Sequence, residues 1–142
     1  MTPKEQEALA IVERLNREKF ADWFWRGDVM AVIEAESSFD PGAIAGDGLS
    51  EGLMQVRAST AAQMGVAGSQ LDPETSVLAG MSYLRWGWQR LEARLGRDPK
   101  LEEWFAGYNS GYEAALEALD ENPYGARVLA LSRKWVSAIG EG

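Results

Sequence analysis

The chain contains neither cysteine nor histidine. There is accordingly no disulfide framework, no thiolate nucleophile, no imidazole base and no Ser-His triad, and the usual nitrogen and sulfur ligands of zinc sites are missing. Catalysis would have to rest on carboxylate, hydroxyl, amide, lysine and arginine. Basic residues are also scarce, with 14 Lys and Arg against 22 Asp and Glu and a net charge of −8. Neutralising phosphates needs a basic surface, so nucleic acid is not an expected partner. The opening stretch, MTPKEQEALAIVERLNREKF, is charged throughout and holds no apolar run of the kind a signal peptide or membrane anchor needs, so no stable membrane insertion is expected. P-loop, dinucleotide and EF-hand patterns are absent, and neither a cofactor nor a metal site is expected. No repeat, low-complexity tract or linker interrupts the chain.

What is present is 142 residues at 46% apolar content, which suits one domain with a single core over 1–142. Thr2-Pro3-Lys4-Glu5 reads as a helix start with a capping box, and Ala8, Ile11, Val12 and Leu15 give that helix one buried face. Phe20, Trp23, Phe24 and Trp25 form an aromatic cluster expected to pack against the next helix, Asp28 to Ser37, with Asp28 as its N-cap. Phe39-Asp40-Pro41-Gly42 should end that helix, because proline cannot continue it. Residues 43–51 read as a loop or short hairpin. Ser59 or Thr60 can cap a short helix to Met64, stopped by Gly65.

Asp72-Pro73-Glu74 opens the longest helix, along which Val77, Leu78, Met81, Leu84, Trp88, Leu91 and Leu95 recur at helical spacing up to Gly96. Pro99 begins another, with Leu101, Trp104, Phe105 and Tyr108 as its stripe, and helices over Tyr112 to Leu119 and Tyr124 to Ile139 complete the set. The expected fold is mostly α, seven to eight helices with at most one small hairpin.

Within the helix from Asp28 to Ser37, the periodicity puts Glu36 on the face of Val29, Val32 and Ile33, and Glu34 on the opposite, solvent side. Burial disfavours the charged form, and the negative end of the helix dipole acts in the same direction, so Glu36 is expected to hold its proton toward neutral pH. That is the property a general acid needs.

Glu36-Ser37-Ser38-Phe39-Asp40-Pro41, then Gly52-Leu53-Met54-Gln55-Val56, then Ala106-Gly107-Tyr108-Asn109-Ser110-Gly111 resemble the three blocks of the soluble lytic transglycosylases, a family with a lysozyme-like fold shared with goose-type lysozymes. Ala43, Gly48 and Gly52 fill the alanine and the two glycines of the pattern, and the likeness runs over about residues 25–136. Two departures stand out: Gly125 follows Tyr124 where the family usually has valine, and Arg57-Ala58 stands where it commonly has a residue and then proline.

The resemblance implies cleavage of the β-1,4 bond between N-acetylmuramic acid and N-acetylglucosamine in peptidoglycan. Glu36 would first protonate the leaving oxygen and then take the proton of the muramoyl 6-hydroxyl, which closes a 1,6-anhydro ring. It further implies substrate contacts from Ser50, Met54, Gln55, Tyr108, Asn109 and Tyr124, with Tyr124 near the acid. The partner would be the peptidoglycan glycan strand, met by a monomer at the cell wall or in the periplasm. Net charge cannot draw the chain to an anionic wall, so shape, hydrogen bonds and the six Trp and four Tyr must do the recognising.

Lacking a recognisable signal, such a chain would reach the wall through a holin-type lesion, in a virion or after removal of a leader, and a phage or prophage endolysin fits this. Two other readings stay open. One is a hydrolytic muramidase in which Asp47, the one acid that could face Glu36 across the cleft, or another carboxylate activates water. The other is a non-catalytic glycan-binding module of a virion.

Overall fold

Helix α2, Arg26–Ser37, is the element the others cover. The computed structural model describes residues 1–116 and 122–140. From Gly27 to Ile33 every residue of α2 is buried, because α1 (Pro3–Phe20) lies on one side and α7 (Pro123–Ile139) on the other. A one-faced apolar stripe was expected; Met30 and Ala31, off that stripe, are as fully buried as Val29 and Val32. The helix also starts two residues before the expected cap. Trp25 is the N-cap without a side-chain bond, and Asp28 lies buried in the first turn, where its Oδ1 accepts from Ser132 Oγ of α7 at 2.9 Å. The helix stops at Ser37, ahead of Pro41. Ser38 and Phe39 both take left-handed backbone, at φ 51° and 65°, and turn the chain before proline can act.

Where a cap is local in sequence it forms as expected. Thr2 and Glu5 exchange backbone and side-chain bonds at 3.0 and 3.1 Å at the start of α1. Asp72 accepts from Thr75 N at 3.0 Å to begin α4 (Pro73–Leu95), and Gly96 at φ 70° ends it. The aromatic stretch after α1 is held by Asn16, whose buried amide bonds both the carbonyl and the N–H of Phe24 at 2.9 and 3.1 Å. Trp23 and Phe24 then meet Trp104 of α5 (Leu101–Ser110), and Trp23 meets Trp88 of α4, so this cluster joins α1 to α4 and α5. Pro99 precedes α5 by two residues, and Lys100 is its N-cap. Helix α6 spans Tyr112–Ala115 with Leu116 as its C-cap; positions 117–119 of the helix expected to reach Leu119 lie outside the described residues.

Between α2 and α4 comes the single sheet among the described residues. Strands β1 (Ser50–Glu51) and β2 (Val56–Arg57) pair antiparallel, Ser50 with Arg57 and Glu51 with Val56, and Ile44 adds an isolated bridge to Glu51. Helix α3, Ala58–Gln63, follows directly from β2 and leaves Ser59 and Thr60 in its first turn instead of at its cap. Gly52 sits at φ 83° against the carbonyl of Gln70, where any side chain would collide with backbone. The segment is anchored by Met54, fully buried on Gly80 of α4, with its N–H bonded to Ser76 Oγ at 3.1 Å.

The fold is therefore the mostly α architecture the sequence implied, with seven helices among the described residues and one two-stranded hairpin.

Candidate active site

Glu36 lies in the last turn of α2, where the continuous burial of that helix gives way to a cavity of about 450 Å³. The hairpin supplies one wall through Ser50, Gln55, Val56 and Arg57, with Thr60 of α3 beside them. The rest of the lining is Tyr83 of α4 with Tyr108, Asn109, Ser110 and Gly111 at the end of α5. Glu36 is half-buried, and its Oε1 accepts a 2.7 Å hydrogen bond from Tyr124 Oη, which α7 carries in its first turn.

Burial pushes the Glu36 carboxyl above its ordinary pKa; the Tyr124 hydrogen bond and the Arg127 charge act against burial but do not cancel it. Tyr124 is in turn held in its phenol form, by burial first and then by the neighbouring Glu36 charge. It is a donor to the carboxylate, not a competing anion.

The other expected residues divide. Ser50, Gln55, Tyr108 and Asn109 line the cavity with Glu36, and Tyr124 contacts Glu36 directly. Met54 does not reach the cavity. Its side chain is 0% exposed in the core, so the expected substrate contact is corrected to an anchor, and only its carbonyl approaches the site, accepting from Tyr108 Oη at 2.6 Å. That bond locks α5 to the hairpin. Gln55 Nε2 donates to Ala43 O and Gly52 O, both at 3.0 Å, which uses both amide protons and leaves Oε1 as the group that could accept from a ligand. Gln55 is left-handed at φ 51°, and its own side chain holds that turn closed.

The two other acids singled out by the sequence, Glu34 and Asp47, are occupied elsewhere. Glu34, expected in solvent, accepts from Lys134 Nζ at 2.7 Å and Trp135 Nε1 at 3.0 Å, because α7 packs over that face. Asp47 caps its own turn through Leu49 N at 2.9 Å and pairs with Arg57 at 3.5 Å; it is not among the residues lining the cavity. Glu36 is thus the one carboxyl in the wall among the described residues. None of the tryptophans lines it, and the aromatic contribution comes from Tyr83 and Tyr108.

Sequence reasoning passed over Tyr83, Thr60 and Ser110. Tyr83 had a signal, an aromatic displaced from the 77, 81, 84, 88 stripe of its helix; the two hydroxyls had none. No group of acids suited to a metal ion occurs among the described residues, and no helix there is long and apolar enough to cross a membrane.

The profile of one family, described as "Transglycosylase SLT domain", matches residues 21–127. Among curated proteins, the membrane-bound lytic murein transglycosylase F of Vibrio cholerae is 36% identical over 100 residues, 69% of this chain and 18% of the relative. The protein of the same name from Alcanivorax borkumensis is 38% identical over 82 residues, 58% of this chain and 17% of the relative. The chain therefore spans less than a fifth of these relatives. Among solved structures, the 70 kDa soluble lytic transglycosylase SLT70 from Escherichia coli superimposes with a TM-score of 0.72 at 22% identity, covering 91% of this chain and 24% of that one.

Proposed function

The chain belongs to the transglycosylase SLT domain family, and from that membership we propose that it is a peptidoglycan lytic transglycosylase. It cleaves the β-1,4 bond between N-acetylmuramic acid and N-acetylglucosamine, at the cell wall or in the periplasm. The observation that carries the reading is one half-buried carboxyl, biased toward its protonated form and the one acid among the described residues lining a polar cavity of about 450 Å³. Glycosidases that use water need two carboxyls at a set separation. A site with one, as among the described residues here, favours a nucleophile supplied by the substrate.

Glu36 gives its proton to the glycosidic oxygen as the bond from the anomeric carbon to that oxygen breaks, releasing the N-acetylglucosamine end as an alcohol. The carboxylate left behind takes the proton of the muramoyl 6-hydroxyl, and that oxygen bonds the anomeric carbon to close the 1,6-anhydro ring. The acid is restored and no water is consumed. Tyr124, donating to Oε1 at 2.7 Å, stabilises the carboxylate between the two steps. Ser50, Asn109 and the free Oε1 of Gln55 hold the sugars by hydrogen bonds, while Tyr83 and Tyr108 shape the cavity around them.

The test is Glu36→Gln assayed on purified glycan strands, with product masses. Wild type should release muropeptides one water lighter than hydrolysis products, and the variant should lose about 10²–10⁴-fold in rate with its helical content unchanged. A variant that still cleaves, or a wild type that leaves reducing ends, overturns the reading.

A further inference from the structure

A second cavity, of about 640 Å³, adjoins the first at strand β2. Val56 and Arg57 stand in the walls of both cavities, so the two meet at that strand and one arginine reaches either. Resting on the transglycosylase reading, we propose that this second cavity receives the peptide carried by the muramic acid bound in the first, and that Arg57 pairs with a carboxylate of that peptide. A peptide branching from the sugar ring has to leave the cleft sideways, and this cavity is next to it across a single residue pair.

Three features of the wall fit an anionic peptide. Arg57 is the one cation among the described residues lining either cavity, and its Nη2 meets Asp47 at 3.5 Å with both side chains about half exposed. That separation exceeds an ordinary N–H···O bond, and such exposed pairs hold weakly, so the guanidinium fork is free to exchange Asp47 for a bidentate carboxylate.

Gln70, just before α4, is 6% exposed, and neither its Nε2 nor its Oε1 has a hydrogen-bond partner. The other buried amide, carboxyl and serine side chains among the described residues are paired: Asn16 with Phe24, Asp28 with Ser132, Ser76 with Met54 N and Glu103 with Arg97. An unpaired donor and acceptor on one amide is the complement of a peptide group, and leaving both unmet is costly. The rest of the floor, Ala61, Ala62 and Val66, is small and apolar and admits short side chains. Glu51 borders the cavity as well, so a carboxylate is accepted only at the Arg57 end.

Arg57 occupies a position that the family pattern leaves open, and the departure beside it, Ala58 in place of proline, lines the same cavity.

The experiment compares kcat/KM on three substrates: strands bearing peptides, strands stripped of peptides by an amidase, and strands whose peptide carboxylates are amidated. Wild type should favour the bearing strands over the other two by about tenfold, the scale of one charge-assisted bidentate contact. Arg57→Ala should bring that ratio close to one, and Arg57→Lys should leave part of it. Gln70→Leu should also lower the ratio with Tm held or raised, since it removes an unpaired buried amide; a purely structural glutamine would not move the ratio.

A wild-type ratio near one, equal slowing of all substrates by Arg57→Ala, or amidated strands cleaved as fast as acidic ones overturns the inference while leaving the transglycosylase reading intact. Absence of anhydro products from every substrate overturns that reading, and this inference with it.

Discussion

At the scale of single residues, the site turns on two oxygens 2.7 Å apart, Tyr124 Oη and Glu36 Oε1. The hydrogen bond favours the ionised acid and so opposes burial. Tyr124→Phe removes that opposition, and the Glu36 pKa rises further. The alkaline limb of the pH-rate profile, where the proton donor is lost, should move upward. The maximum rate should fall by about tenfold, because the carboxylate waiting to act as base is no longer stabilised. A profile of unchanged midpoint would mean that Tyr124 only fills space.

Legibility in the sequence follows the same distinction between chemistry and orientation. Helical periodicity singled out Glu36, and the resemblance to the family's blocks implied Tyr108, Asn109 and Tyr124, all of which fall in the first or last turn of a helix. The place of Met54 could not be read that way, because the neighbouring Gln55 takes left-handed backbone and the turn sends position 54 into the core.

At the scale of elements, the joint between α2 and α7 decides where both oxygens stand, and a buried acid sits within it. Asp28 is 7% exposed with one hydrogen bond from Ser132, and burial raises its pKa from 3.8 to about 6. A carboxyl whose folded pKa is raised contributes its full stability below the unfolded value and loses it as pH climbs through the folded one, here between about 4 and 6. Asp28→Asn has no charge to bury. Relative to wild type it should be near neutral in urea unfolding at pH 4 and more stable by about 2–3 kcal/mol at pH 7. A difference that does not change with pH would contradict the burial cost.

This joint was invisible in the sequence, since Ser132 is 104 positions from Asp28. The caps at Thr2 and Asp72 were visible because each is completed within three residues. Asp28 looked like another such cap and was not, since tertiary packing by α7 claimed it.

At the scale of the whole molecule, the charge of −8 works against an anionic wall. Raising ionic strength from about 0.01 to 0.15 M shortens the screening length from about 30 to 8 Å and should increase kcat/KM on intact anionic walls by about two- to threefold. A steady fall with salt would mean that local cations dominate capture. Helix count, order and the single hairpin were all legible, because apolar periodicity and local punctuation determine them; the pairing of α2 with α7 depends on distant surfaces that no window of sequence contains.

Continuous burial along α2 has a further consequence for how this chain can vary. Each residue added to a helix rotates all later side chains by about 100° around its axis. An insertion between 27 and 33 would therefore swing the acid away from the cavity and drive a polar side chain into α1 or α7. Residues 46–49, exposed in the turn ahead of β1, carry no such phase. Length can be gained or lost there, so the rim of the groove can be reshaped while the spindle bearing Glu36 stays fixed in register.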